Sequence, residues 1–190
     1  MTTSRHQEAG SPSVASGQHA PVVVRAGEAE HLPSIGHTLL ADSSATQGAL
    51  SSHRVQLGRG ADGAVPHQHR GAAELFFVLD GALDVLAGEE ILSVRRGDLL
   101  VVPPGLAHAF AARPDSTADA LIVITPGVER FDYFRHVVQV REGRLPRQLL
   151  DQQDRFDTYF LDSAAWASAR AVREPGRTPG RTPGRTPGQR

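Results

Sequence analysis

Three histidines and one glutamate between Val65 and Ala112 have the residue types and spacing of a divalent-metal site. His67 and His69 stand two apart, and in a strand residues i and i+2 point to one face. Both imidazoles can therefore reach one point. Glu74 follows the turn-like Arg70-Gly71-Ala72-Ala73 and opens an apolar run from Leu75 to Leu79 that ends at Asp80-Gly81. His108 lies beyond Gly97-Asp98, a four-residue apolar run and the breaker Pro103-Pro104-Gly105. A His-x-His pair standing alone reads as two solvated or hydrogen-bonded imidazoles. Four ligand-type residues in matching strand phase, each bounded by glycine or proline, read as one site. Three neutral imidazoles and a carboxylate suit a first-row divalent ion with positions left open for a substrate or oxygen. The set accommodates Fe, Mn, Ni, Co, Cu or Zn.

The elements that would position these residues are short strands. Alternation and turn residues predict strands near 37–41, 49–57, 65–69, 74–80, 83–87, 90–94, 98–102, 108–111 and 118–125. Glycine or proline breaks most of the intervals, which argues a sandwich or barrel. Strand phase puts Phe76 and Val78 on the face of Glu74, and Phe110 on the face of His108. If the ligands point inward, these three line a substrate pocket with an apolar wall, which favours an uncharged or aromatic ligand. His53 alternates with Val55 and Leu57, so it either projects into that pocket or stays a partly exposed strand histidine.

The two segments resemble the paired signature motifs of the cupin superfamily. In the first motif His67, His69, Glu74 and Gly81 fit in register, while the leading glycine is replaced by Ala61. In the second, Gly97, Pro103, Gly105 and His108 fit, and the terminal asparagine is replaced by Ala112. The resemblance implies an all-β fold, a small jelly-roll barrel, with His67, His69, Glu74 and His108 on one metal ion. It also implies a homodimer, with a strand such as Pro21 to Arg25 covering an exposed sheet edge. Thr125-Pro126-Gly127 before a Phe-rich helix is similar to the C-terminal part of quercetinase-like single-domain cupins.

The bulk numbers fit one domain. The chain has 190 residues with 39% hydrophobic content and a net charge of −1, so neither nucleic acid nor a charged membrane surface is an expected partner. Cysteine is absent, which excludes disulfides and thiolate ligands. There is no apolar run of membrane-spanning length and no signal-peptide core in the first twenty residues, so the cytoplasm is the expected location. Residues 1–20 and 173–190 are expected to be disordered tails, the second built on repeated Arg-Thr-Pro-Gly. Residues 21–126 form the expected barrel and 127–172 a helical segment docked on it. There Phe131, Phe134, Val137 and Val138 recur at helical spacing. A second helix is expected over 146–156, and a third near Trp166 after Asp162-Ser163. Docking either closes the barrel mouth as a lid or clamps the outer sheet face.

Two functions from different classes follow. One is a quercetinase-like dioxygenase acting on a small enolisable or phenolic substrate. In the resembling enzymes the glutamate takes the substrate proton, and Glu74 is the residue that matches that role. The other is a non-oxidative cupin, either a small-molecule-binding protein or a cyclase or isomerase. A helix-turn-helix spacing and a basic helix face, the marks of a fused DNA-binding region, are not evident.

Overall fold

Glycine and proline punctuation cuts the chain into strands too short to stand alone, and they pair as two sheets. The computed structural model describes residues 20–144 and 152–171. The expected tails lie outside them apart from Ala20, as do residues 146–151 of the expected second helix. The strands are β1 (Glu30–Leu32), β2 (His37–Ala41), β3 (Ser51–Leu57), β4 (His67–Gln68) and β5 (Ala73–Ala87). They continue as β6 (Glu90–Arg95), β7 (Leu99–Val102), β8 (His108–Ala112), β9 (Ala118–Thr125) and β10 (Tyr159–Phe160). The helices are α1 (Phe131–Arg141), α2 (Gln153–Phe156) and α3 (Ala164–Ala171).

β5 belongs to both layers. Its first half lies between β7 and β9, in the sheet that continues through β3 and β2 to β1. Its second half lies between β6 and β8, in the sheet that continues through β4 to β10. The sequence reading breaks this strand at Gly81, whereas the backbone bends there and exchanges partners. Gly81 has φ +70°, and a Cβ would sit 2.0 Å from the Thr117 carbonyl oxygen, so only glycine turns this corner. A register shift between Val78 and Asp80 adds to the bend. The result is an all-β jelly roll with added C-terminal helices.

Inward-facing residues alternate along each strand. Val55, Phe76, Val78, Leu83, Val85, Phe110 and Ile122 meet in one core cluster. β8 is buried on both faces, because Trp166 of α3 covers Ala109 and Ala111 from outside. Pro21 to Arg25 is not a strand. β1 already pairs with the free edge of β2, and Val22, Val23 and Val24 stay exposed. No helix among the described residues is long and apolar enough to cross a membrane.

α1 starts where Asp42 places its carboxylate. Oδ1 accepts from the Arg130 backbone N–H at 2.7 Å and Oδ2 from that of Phe131 at 3.1 Å. This satisfies two N–H groups that a helix end leaves unpaired. Gly143, at φ +71°, ends the segment.

Candidate metal centre

β4 and β8 pair at His67 and His108, which stand directly opposite each other. His69 lies just past the end of β4, and its carbonyl oxygen accepts from Gly105 N–H at 2.6 Å. That bond ties the Pro103–Gly105 turn of the second motif to the first. Glu74 enters from β5, in the other sheet. The four side chains are all buried, and one ligand atom from each lies within 4.8 Å of the others. The two departures from the motifs also meet: Ala112 N–H donates to the Ala61 carbonyl at 2.9 Å.

Each imidazole is oriented from behind. Nδ1 of His67 donates to the Val65 carbonyl at 2.8 Å, and Nδ1 of His108 to that of Leu106 at 2.9 Å. Nδ1 of His69 donates to the Asp157 carbonyl. A carbonyl can only accept, so the proton sits on Nδ1 in all three rings and the Nε2 lone pair is free for a ligand bond.

The donor set fits a metal ion by a direct test. Nε2 of His69, Nε2 of His108 and Oε2 of Glu74 are buried with no hydrogen-bond partner among the described residues. Yet His108 Nε2 stands 2.7 Å and His69 Nε2 3.6 Å from Glu74 Oε2. These atoms are close without the alignment of a hydrogen bond, so their lone pairs converge. Buried polar atoms left that way cost about 1–3 kcal/mol each, and a shared cation removes that cost. Burial pushes His67 well below its ordinary pKa, with His108 adding to the effect. Burial alone would raise Glu74, but in metal-free protein the charged forms of His108 and His69, with a proton on Nε2, outweigh it and hold the carboxyl well below the usual range. Burial alone would lower His108, and Glu74 in turn outweighs it and raises that ring. A metal ion would take the place of the Nε2 proton. A neutral imidazole and an ionised carboxylate are the metal-ready forms.

The cluster opens on a cavity of about 130 Å³. His67 and Glu74 line its floor side, joined by His53 and Phe110, which the sequence reading assigns to the pocket. His53 is buried, and burial holds it well below its ordinary pKa. Phe76 and Val78 require correction. They share the face of Glu74 but lie deeper along β5, fully buried in the core, and do not line the cavity. Phe76 instead packs edge-on against Phe110, with ring centroids 5.4 Å apart.

The remaining wall comes from residues not singled out in the sequence as site residues. His37 stacks on His53 at 5.2 Å, and Phe134 tilts against both rings at 4.7 and 4.5 Å. Burial lowers His37 to about 4. Arg130, Tyr133, Phe134, Val137 and Arg141 all line the cavity from α1, at i, i+3, i+4, i+7 and i+11 on one helix face. So α1 covers the mouth, while α3 packs on the outer sheet. The expected apolar wall is in fact mixed, with two arginines in it. A search for apolar period alone passes over Arg130 and Arg141; a helical stripe that admits cations finds them.

The chain has similarities to known proteins over part of its length. Residues 53–124 match the cupin domain model. No curated protein matches the sequence. Among solved structures, an RmlC-like cupin from Shewanella frigidimarina is 20% identical over 60% of this chain and 96% of its own, with TM-score 0.49. Streptomyces Pac13, described as a nucleoside dehydratase, is 16% identical over 60% of this chain and 88% of its own, with TM-score 0.48. KdgF from a Halomonas species is 28% identical over 46% of this chain and 78% of its own, with TM-score 0.38. The match over 53–124 spans both histidine motifs, so this part of the chain is similar to a cupin domain.

Proposed function

We propose that the chain is a metal-dependent enzyme, a dioxygenase acting on a small enolisable or phenolic molecule of the flavonol or 1,3-diketone kind. The observation that carries this reading is the convergence of the unpartnered Nε2 atoms of His69 and His108 on Glu74, which lines a cavity together with His67. A divalent ion held by His67, His69, Glu74 and His108 would supply a Lewis acid that makes a bound enol or phenol acidic and electron-rich toward oxygen. The protein's residues do the rest. Glu74, ionised at physiological pH, is the acceptor for the substrate proton at its carboxylate. Phe110, Phe134 and Val137 offer apolar contact to the substrate body. α1 over the mouth limits the access of bulk water. We keep the cytoplasm as the location.

The test is oxygen uptake by protein loaded separately with Fe, Mn, Ni or Co, against a panel of flavonols and 1,3-diketones. Uptake that depends on metal and is lost in Glu74→Gln supports the reading. Tight ligand binding with no uptake across the panel supports a non-oxidative cupin instead, a binding protein, cyclase or isomerase. One feature favours that second reading: His37, His53, Tyr133 and Arg130 give the cavity acid–base and anion-binding groups that need no oxygen.

A further inference from the structure

Arg130 is only 4% exposed, yet its guanidinium has no ion-pair partner among the described residues. Nη1 donates to the Phe156 carbonyl at 3.0 Å and to the Thr158 hydroxyl. Nε is buried with no hydrogen-bond partner among the described residues. The acids around it are engaged elsewhere. Both oxygens of Asp42 accept from backbone N–H groups. Glu74 faces His69 and His108, and Asp62, which also lines the cavity, pairs with Arg170. Asp132 pairs with Arg135 and Arg155, and Asp154 accepts from the Tyr159 hydroxyl.

Guanidinium groups do not deprotonate in proteins, so the cavity wall carries a fixed positive charge. The Arg130 Cζ lies 4.6 Å from the Tyr133 ring centroid and 5.4 Å from that of Phe134. Such cation–π contacts are worth about 1–2 kcal/mol, whereas burying an unpaired ion costs several. The balance needs an anion, and Arg130 lines the cavity through which one can arrive. Arg141, on the same face of α1 and exposed, adds a second positive charge about 16 Å along the helix, nearer solvent.

We propose that this cavity binds a small organic acid, with its carboxylate on the Arg130 guanidinium and its apolar body against Phe110, Phe134 and Val137. A carboxylate fits better than a phosphate. The free donor is one planar guanidinium, a match for two coplanar oxygens and one charge. Two N–H groups at the start of α1, those of Arg130 and Phe131, are already taken by Asp42 and so are not offered to a phosphate. As a statement about the substrate, the proposal rests on this cavity being the reactive site proposed above. As a statement about binding, it stands on Arg130 and not on the metal cluster.

The experiment is calorimetric titration of the purified full chain, both metal-loaded and chelator-stripped, with benzoate, benzamide and phenyl phosphate. Benzoate is expected to bind at least tenfold more tightly than benzamide in both forms. Arg130→Met should erase that difference, and Arg130→Lys should restore part of it as a cation without the planar fork. Equal binding of benzoate and benzamide by the wild-type chain, or binding of neither, overturns the proposal whether or not the variants fold. Phenyl phosphate binding more tightly than benzoate overturns the choice of carboxylate. A benzoate preference in a chain that takes up neither metal nor oxygen leaves this inference standing and ends the dioxygenase reading. Oxygen uptake without the preference does the reverse.

Discussion

His69 is held in place by a residue 88 positions away. Asp157 adopts φ +45°, and its carbonyl accepts a hydrogen bond from His69 Nδ1–H. Its carboxylate accepts from the backbone N–H groups of Arg70 at 2.8 Å and Gly71 at 2.9 Å, so the turn after His69 is clamped as well. Asp157→Ala should cost roughly 1 kcal/mol in stability. It should also weaken metal binding by about 10- to 100-fold, measurable by titration against a competing chelator. Asp157→Asn, which tolerates the left-handed backbone, should be milder. The buried histidines set an acid limit on stability. His37 moves from 6.5 to about 4 on folding, so between those values the unfolded chain binds a proton that the folded chain refuses. Its contribution is complete above pH 6.5 and is lost as pH falls toward 4, amounting to about 3 kcal/mol. His53 and His67 act in the same direction in metal-free protein. Urea midpoints of metal-free protein should therefore fall between pH 6.5 and 4, and His37→Phe should flatten part of that slope. The four candidate ligands are legible in sequence because turn residues fix their phase. Asp157, His37 and Arg130 are not, because only tertiary pairing brings them to the site.

The C-terminal elements divide two tasks. α1 lines the cavity mouth, and α3 clamps the outer sheet through Trp166 over Leu86, Ala109 and Ala111. Trp166→Ala should cost about 3 kcal/mol while leaving the metal content of folded protein unchanged. Thermal melts paired with metal analysis check this. Phe134→Ala, at the cavity, should alter ligand affinity instead. Helix α1 itself is legible from its period and its Gly143 stop, but its orientation is not. The apolar stripe Phe131, Phe134, Val137 and Val138 points to one face, whereas the cavity face is Arg130, Tyr133, Phe134, Val137 and Arg141. Phe134 and Val137 belong to both. The helix turns its mixed face inward because the space beneath it is a cavity lined by both polar and apolar groups and not a core. β5 shows the same limit. Gly81 marks a change of direction in the sequence, but whether the chain stops or bends there depends on which strands pair on either side.

At the scale of the whole molecule, the jelly roll leaves part of one sheet face uncovered among the described residues. Phe77 and Leu79 on β5, with Leu99 and Val101 on β7, are 38, 39, 59 and 51% exposed. Phe77 and Leu99 are directly paired, so the apolar side chains form one patch. Contiguous exposed apolar patches are a common feature of association surfaces, and we propose a second copy of this chain as the occupant. Light scattering at micromolar protein should give a dimer mass, and Leu99→Glu with Val101→Glu should give a monomer. A monomeric wild-type chain would refute the dimer. Fold class is legible at this scale because short strands with glycine and proline turns leave few architectures open, whereas a pairing surface is only an alternation of apolar residues until the sheet shows which side is bare. The account turns on the metal centre, and elemental analysis of protein purified without added metal tests it most directly. Wild-type chain should carry about one divalent transition metal per site, and His69→Ala and His108→Ala should lose most of it with circular dichroism unchanged. Full occupancy in both folded variants, or a folded wild-type chain that takes up no divalent metal when one is supplied, would contradict the account.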